Sequence, residues 1–112
     1  MTELLHLCTQ DEWAGYRAAG EIAPPSLATD GFVHLSTAEQ VHLPANRLFR
    51  GRTDLLVLRV DAAALPGEVR WEPGVPGDPE SMRFPHHYGP IPVGAVRRVD
   101  ARPPGDDGSF GG

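Results

Sequence analysis

Three segments of this 112-residue chain carry the residue types from which a small-molecule site is built: His6, the run Gly31-Phe-Val-His-Leu-Ser36, and the run Phe84-Pro-His-His-Tyr-Gly-Pro90. His6 and His34 interrupt stretches that are otherwise apolar. A neutral imidazole offers one donor and one acceptor, and burial or a neighbouring carboxylate moves its titration across the physiological range. Either histidine alone also suits a core position bonded to a backbone carbonyl. Two such interruptions in short neighbouring strands favour a shared cleft, provided that both strands lie in one sheet. Alternation along an extended chain puts His34 and Ser36 on one face, where imidazole and hydroxyl suit a ribose or another hydroxylated ligand. Ser36 also suits the start of a helix cap. Nothing around it resembles the strained turn that presents a serine nucleophile.

In the third segment His86 and His87 are adjacent, so on an extended chain they face opposite ways and one of them reaches a pocket. Pro85 stiffens the approach, and Gly89 permits a tight turn or close backbone contact with a ligand. The other reading is an aromatic loop that plugs the end of the core. His6, His34 and His86 have the ligand type of a three-imidazole metal site, but no His-x-His or His-x-x-x-His pair stands on an expected element, so no metal is assigned. There is no Gly-x-Gly-x-x-Gly or phosphate-loop pattern.

The elements that must position these groups are set by pattern and punctuation. Leu4 to Cys8 reads as a buried strand. Thr9-Gln-Asp-Glu12 is a capping box, so a helix runs from about Gln10 to Ala19 with Gly20 as its stop. Pro24-Pro25 and Asp30-Gly31 predict an extended loop and then a turn, followed by a short strand at Phe32-Val-His-Leu35. Thr37-Ala-Glu-Gln40 repeats the capping pattern, and Pro44 splits the helix begun there into two short ones, the second with Pro44 in its first turn and Gly51 at its end. Leu55 to Val60 is nearly all apolar and belongs at the centre of a sheet. Val69 to Glu72 alternates as a strand covered on one face, Pro73 to Ser81 is a surface loop, and Ala95 to Asp100 is the last strand. From Arg102 onward Pro, Gly and Asp predict a disordered tail, so the expected division is one domain over residues 1–101 and a tail over 102–112.

The totals bound the function. The length fits one domain. No apolar run approaches the roughly 18 to 20 residues of a membrane helix, and the start lacks the pattern of a secretory signal, so the chain is expected to be soluble and cytoplasmic. Cys8 is the only cysteine, which leaves no internal disulfide. A formal net charge of −5 makes nucleic acid and anionic lipid poor partners for the whole surface. Arg47, Arg50 and Arg52, and the pair Arg97-Arg98, form local basic groups that equally suit a helix end and a solvated strand edge. Oligomeric state has no signal in the sequence.

Leu5-His6, Glu12-Trp13, Ala19-Gly20, Pro25-Ser26-Leu27, Gly31-Phe-Val-His-Leu-Ser36, Ala45-Asn-Arg-Leu-Phe-Arg-Gly51, Trp71-Glu72 and Phe84-Pro-His-His-Tyr-Gly-Pro90 together resemble the DUF952 family over about residues 4 to 100. The resemblance implies an α+β fold similar to that of the ADP-ribosyltransferases, a compact split β-structure with two or three short helices and an NAD-sized cleft. Carried over where residues match, it implies ligand binding by His6, Ser36 and Arg47 and a catalytic set of His34, Glu72, His86 and Tyr88. NAD would then be the substrate, and the site would stabilise a cationic transition state by preorganised electrostatics. Glu72 is the carboxylate for that task, and a salt bridge with Arg70 or Arg47 is its structural alternative. The late segment departs from the better-known transferases, with histidine and tyrosine where they have glutamate. A non-catalytic small-ligand or partner-binding domain using the same cleft is the other function that the residues allow.

Overall fold

The computed structural model describes residues 2–74 and 82–111. The strongest apolar run forms strand β4, Leu55–Asp61, and occupies the centre of an antiparallel sheet between β1, Glu3–Thr9, and β8, Val96–Ala101. Its two faces are both covered, which is why it reads as continuous rather than alternating. On one side Leu56, Leu58 and Val60 join Leu4, Cys8, Ile22, Val33, Leu35 and Ile91 in the main core. On the other, Leu55 packs on Ala45 and Phe110, and Val57 on Leu5 and Val41.

A second three-stranded antiparallel sheet, β3-β6-β5, is built from β3, Val33–His34, β5, Glu68–Pro73, and β6, Arg83–Tyr88. A short pair, β2, Glu21–Ile22, with β7, Ile91–Pro92, completes the β-structure. The two larger sheets meet at one antiparallel bridge: Leu5 N–H donates to Ser36 O at 2.7 Å and Ser36 N–H to Leu5 O at 2.8 Å. The result is a compact α+β arrangement of antiparallel sheets with few helices, and the strands that carry His6 and His34 belong to different sheets, joined at this seam, rather than to one.

Helix α1, Gln10–Ala19, has the capping box that its sequence predicts: Glu12 N–H donates to Thr9 Oγ1 and Thr9 N–H to Glu12 Oε1, and Gly20 ends it at φ 82°. Trp13 and Tyr16 are its half-buried contacts with the main core. Two expectations are corrected. Pro24-Pro25 does not lie in an extended loop but starts α2, Pro25–Thr29, since a proline at the first helical position forfeits an amide that would be unpaired anyway. Between Ser36 and β4 there is one helix where two were expected. Residues 37–41 form turns, with Thr37 N–H donating to the Gln40 side chain, and α3 is His42–Phe49. Pro44 lacks the amide that would bond the Gln40 carbonyl and its ring would clash there, so a helix cannot run through; it fits in the first turn of α3.

Residues 102–111, expected to be disordered, pack back on the domain. Phe110 is buried against Ala45 and Leu55, and its backbone is held at both ends by the Asn46 amide, which donates to Phe110 O at 2.9 Å and accepts from Phe110 N–H at 2.7 Å. Of the expected loop at Pro73 to Ser81, Pro73 ends β5, and residues 75–81 lie outside the described residues. No helix among the described residues is long and apolar enough to cross a membrane.

Candidate functional site

A cavity of about 320 Å³ opens beside the seam. His6 and Leu5 of β1, His34, Leu35 and Ser36 after α2, and Pro44, Arg47 and Leu48 of α3 line it, together with Phe84 of β6. Four of the residues singled out in the sequence, His6, His34, Ser36 and Arg47, therefore share one mostly apolar cleft. Their meeting has a local cause. The Leu5–Ser36 bridge sets β1 against the end of β3, so the neighbours of the bonded pair come together across the seam.

His6 is buried, and its Nδ1 lies 2.8 Å from the His34 backbone oxygen. A carbonyl only accepts, so Nδ1 carries the proton and Nε2 is an acceptor, unbonded among the described residues. Burial holds the His6 pKa below its ordinary value, which keeps the ring neutral near pH 7. Ser36 is also buried, its backbone spent on the seam, and it caps no helix. The His34 side chain is half exposed, with Nε2 3.5 Å from Asp30 Oδ2 across the Gly31 turn.

Glu12 and Tyr16 of α1 also line the cleft, and sequence reasoning missed both. Glu12 was absorbed by its capping pattern and Tyr16 by the helix that follows it. The usable signal was position, because α1 comes directly after the strand that carries His6. Burial, with the Glu12 charge beside it, pushes the Tyr16 phenol up to about 12, and the same two causes push the buried Cys8 thiol up to about 12, which makes it an inert core thiol.

The remaining sequence candidates gather on one face of the second sheet instead of on the cleft wall. Register pairs His34 with His86 and His86 with Arg70, and alternation along β6 puts Phe84, His86 and Tyr88 on that face. Glu72 Oε1 accepts from Tyr88 Oη at 2.6 Å and lies 3.0 Å from His86 Nδ1. These two hydrogen bonds, the tyrosine's first, hold the Glu72 carboxyl below its ordinary pKa, and the same tyrosine bond raises that of Tyr88. Arg70 pairs with Glu68 and lies 4.6 Å over the Tyr88 ring, and in place of the salt bridge with Arg70 that was one alternative for Glu72, its carboxylate bonds an imidazole and a phenol. His86 is 1% exposed, stacked 4.0 Å from Phe32, with the His34 ring edge-on at 5.1 Å.

His87, on the opposite face, is fully buried with both nitrogens satisfied: Nδ1 donates to Gly89 O at 2.8 Å and Nε2 accepts from Gly67 N–H at 2.9 Å. It is a structural histidine, and His86 is the one beside the cleft. Among the described residues no three metal-ligating side chains converge.

Comparison with known proteins agrees with the sequence resemblance at the level of family. No curated protein matches. Among solved structures, the X-ray structure of protein CC0527 from Caulobacter crescentus is similar at a TM-score of 0.83 and 32% identity, covering 98% of this chain and 94% of that one. The solution NMR structure of CC0527 is similar at 0.79 and 34%, covering 97% and 91%. The family model "Protein of unknown function (DUF952)" matches residues 7–99, and the chain belongs to that family.

Proposed function

We propose that this chain binds a small nucleotide-derived ligand, NAD or a relative of it, in the cleft beside the seam, and acts on it as an ADP-ribosyltransferase-like enzyme. One observation carries the reading: His6, His34, Ser36 and Arg47, from three separate segments, line a single largely apolar cavity. Apolar walls with a few convergent polar groups are what a small-molecule site requires. At about 320 Å³ the cavity stands near the low end of the roughly 300–1,000 Å³ range of ligand pockets. It takes a base or a ribose, and the rest of a dinucleotide would lie outside.

In this reading His6 and Ser36 bond ribose hydroxyls, Arg47 meets phosphate, and His34 with His86 or Tyr88 stands by the reacting bond. Glu72 supplies negative charge through its bond to His86. A second reading, a non-catalytic small-ligand or partner-binding domain, has its own observation. Glu72 is not among the residues that line the cleft, and its Oε1 is occupied by both His86 and Tyr88.

A thermal-shift screen against NAD, ADP-ribose, other nucleotides and divalent metals tests the first reading. A ligand at a hundred times its dissociation constant stabilises by about 2.7 kcal/mol. The expected result is a shift with NAD and ADP-ribose that is lost in His6→Ala and in Arg47→Ala. Release of free nicotinamide from NAD, lost in the same variants, selects the enzyme; binding without release selects the second reading. A flat response across the panel overturns the nucleotide proposal.

A further inference from the structure

His86 presents a polar atom with no partner. Its Nε2 is buried and bonded to nothing in the described structure. The state of that atom is set by the opposite edge of the ring. Glu72 Oε1, 3.0 Å from Nδ1, already accepts the Tyr88 hydroxyl, and an ionised carboxylate offers only acceptors. Nδ1 therefore carries the proton, and Nε2 is a bare acceptor. A buried acceptor left without a donor costs about 1–3 kcal/mol, so an atom of this kind is an expense unless something comes to meet it.

The surroundings indicate where that partner would enter. Phe84, two residues before His86 on the same face of β6, lines the cleft, and so does His34, which is paired with His86 in register. Glu72 sits on β5, on one side of β6, and His34 on β3, on the other. The two nitrogens of an imidazole point to nearly opposite sides, so Nε2 is on the side of His34. The His34 ring that packs edge-on there is half exposed; Phe32 also meets it edge-on at 4.8 Å, and its one charged contact among the described residues is with Asp30, itself half exposed, at 3.5 Å. An ion pair so open to water holds a side chain weakly.

We propose that His86 is a specificity-determining acceptor of the cleft: when His34 turns aside, His86 Nε2 receives a hydrogen bond from a neutral, donor-bearing group of the ligand, a carboxamide or a hydroxyl, and discriminates against a carboxylate. Glu72 is the positioning residue that fixes the tautomer. This deepens the nucleotide reading and rests on the same cleft. It adds the chemical class of the group taken at its inner end. A carboxylate there would set its acceptors against the lone pair of His86, with a buried polar atom left unpaired on both sides, and sites built on a specific hydrogen bond reject the analogue that lacks it.

Nicotinamide and nicotinate are the probes, since they share a ring and differ in that one carries amide donors and the other an acceptor-only carboxylate. Titrations followed by heat and by the ¹⁵N resonances of the histidine rings should give wild-type protein the Nδ1–H form of His86. They should also give at least roughly tenfold tighter binding of nicotinamide, a difference of about 1.4 kcal/mol. In Glu72→Gln the side-chain amide can donate to Nδ1, so the proton moves to Nε2 and the preference should shrink or reverse. Equal binding of the two probes, no binding of nicotinamide, an Nε2–H form in the wild type, or an unchanged preference in a folded Glu72→Gln each overturns the proposal. ADP-ribose, which lacks the pyridine ring, keeps the two readings apart. Its binding, sensitive to His6→Ala, sustains the nucleotide cleft whatever the probes do at His86; its failure together with that of NAD removes the nucleotide reading and leaves the amide preference to be judged alone.

Discussion

His86 and His87 are consecutive and chemically identical, yet one closes a hydrogen-bond circuit with Gly67 and Gly89 and the other carries an unmet acceptor beside a cleft. The sequence made it plain that they face opposite ways, because alternation in a strand is local. Which of them lies beside the cleft depends on β3 and β5, residues 33–34 and 68–73, and nothing in Phe84 to Pro90 encodes those neighbours. His6 was legible for the converse reason: an imidazole among leucines on a buried strand has few roles, and here its Nδ1 meets a backbone carbonyl while the ring still lines a cavity. His6 and His86 also make stability depend on pH. Burial lowers the pKa of each below the value of 6.5 that the unfolded chain would have. As pH falls the unfolded chain takes up protons first, so stability is full above about 6.5 and is lost as pH drops through the folded values, at no more than about 1.4 kcal/mol per pH unit for each group. Urea unfolding between about pH 7.5 and 5.5 should show stability declining with acidity, and His6→Asn should flatten that slope. An identical slope in the variant would remove His6 from the account.

At the scale of elements, periodicity and caps were readable wherever one face of an element is buried or a cap is local. Helix α1 and strand β4 meet both conditions, and their placement comes from Thr9, Glu12, Gly20 and an unbroken run of aliphatics. Helix α2, and the absence of a helix over residues 37–41, were not readable, since each turns on a proline whose meaning depends on which turn of a helix it enters. Proline opens a helix at Pro25, and at Pro44, in the first turn of α3, it keeps that helix from reaching back beyond His42. Gly67 carries no signal in the sequence. A Cβ there would lie 2.4 Å from the Tyr88 carbonyl oxygen and 2.9 Å from His87 Nε2. Backbone cannot give by that much, so Gly67→Ala should push β5 from β6 and lose the bond to His87. Its cost should be at least about 1–3 kcal/mol by denaturant titration, the scale of an overpacked core. Gly15→Ala, where a Cβ meets nothing within 4 Å, is the control and should leave stability level or slightly raised.

For the whole molecule, the family and the α+β class were within reach of the sequence because the matching motifs span nearly the full chain. The fate of residues 102–111 was not. Their Pro-Gly-Asp composition resembles that of chains that cannot bury enough apolar surface to order themselves. One phenylalanine and one asparagine overturn that arithmetic: Phe110 fills a place between α3 and β4 and Asn46 binds its backbone on both sides. Asn46→Ala should cost about 1–3 kcal/mol, as expected when buried polar groups lose their partners. It should also speed amide exchange over residues 102–111 while β4 stays protected; unchanged exchange there would mean that Phe110 alone holds the segment. The bridge between Leu5 and Ser36 has a further consequence, in time. β1 finds its sheet partner only when residues 55–61 have been made, and β3 only when residues 83–88 have. A chain growing from its N-terminus therefore carries His6, His34 and Ser36 with neither larger sheet complete until residues 83–88 and 96–101 have been made, and the cavity between them waits on those strands.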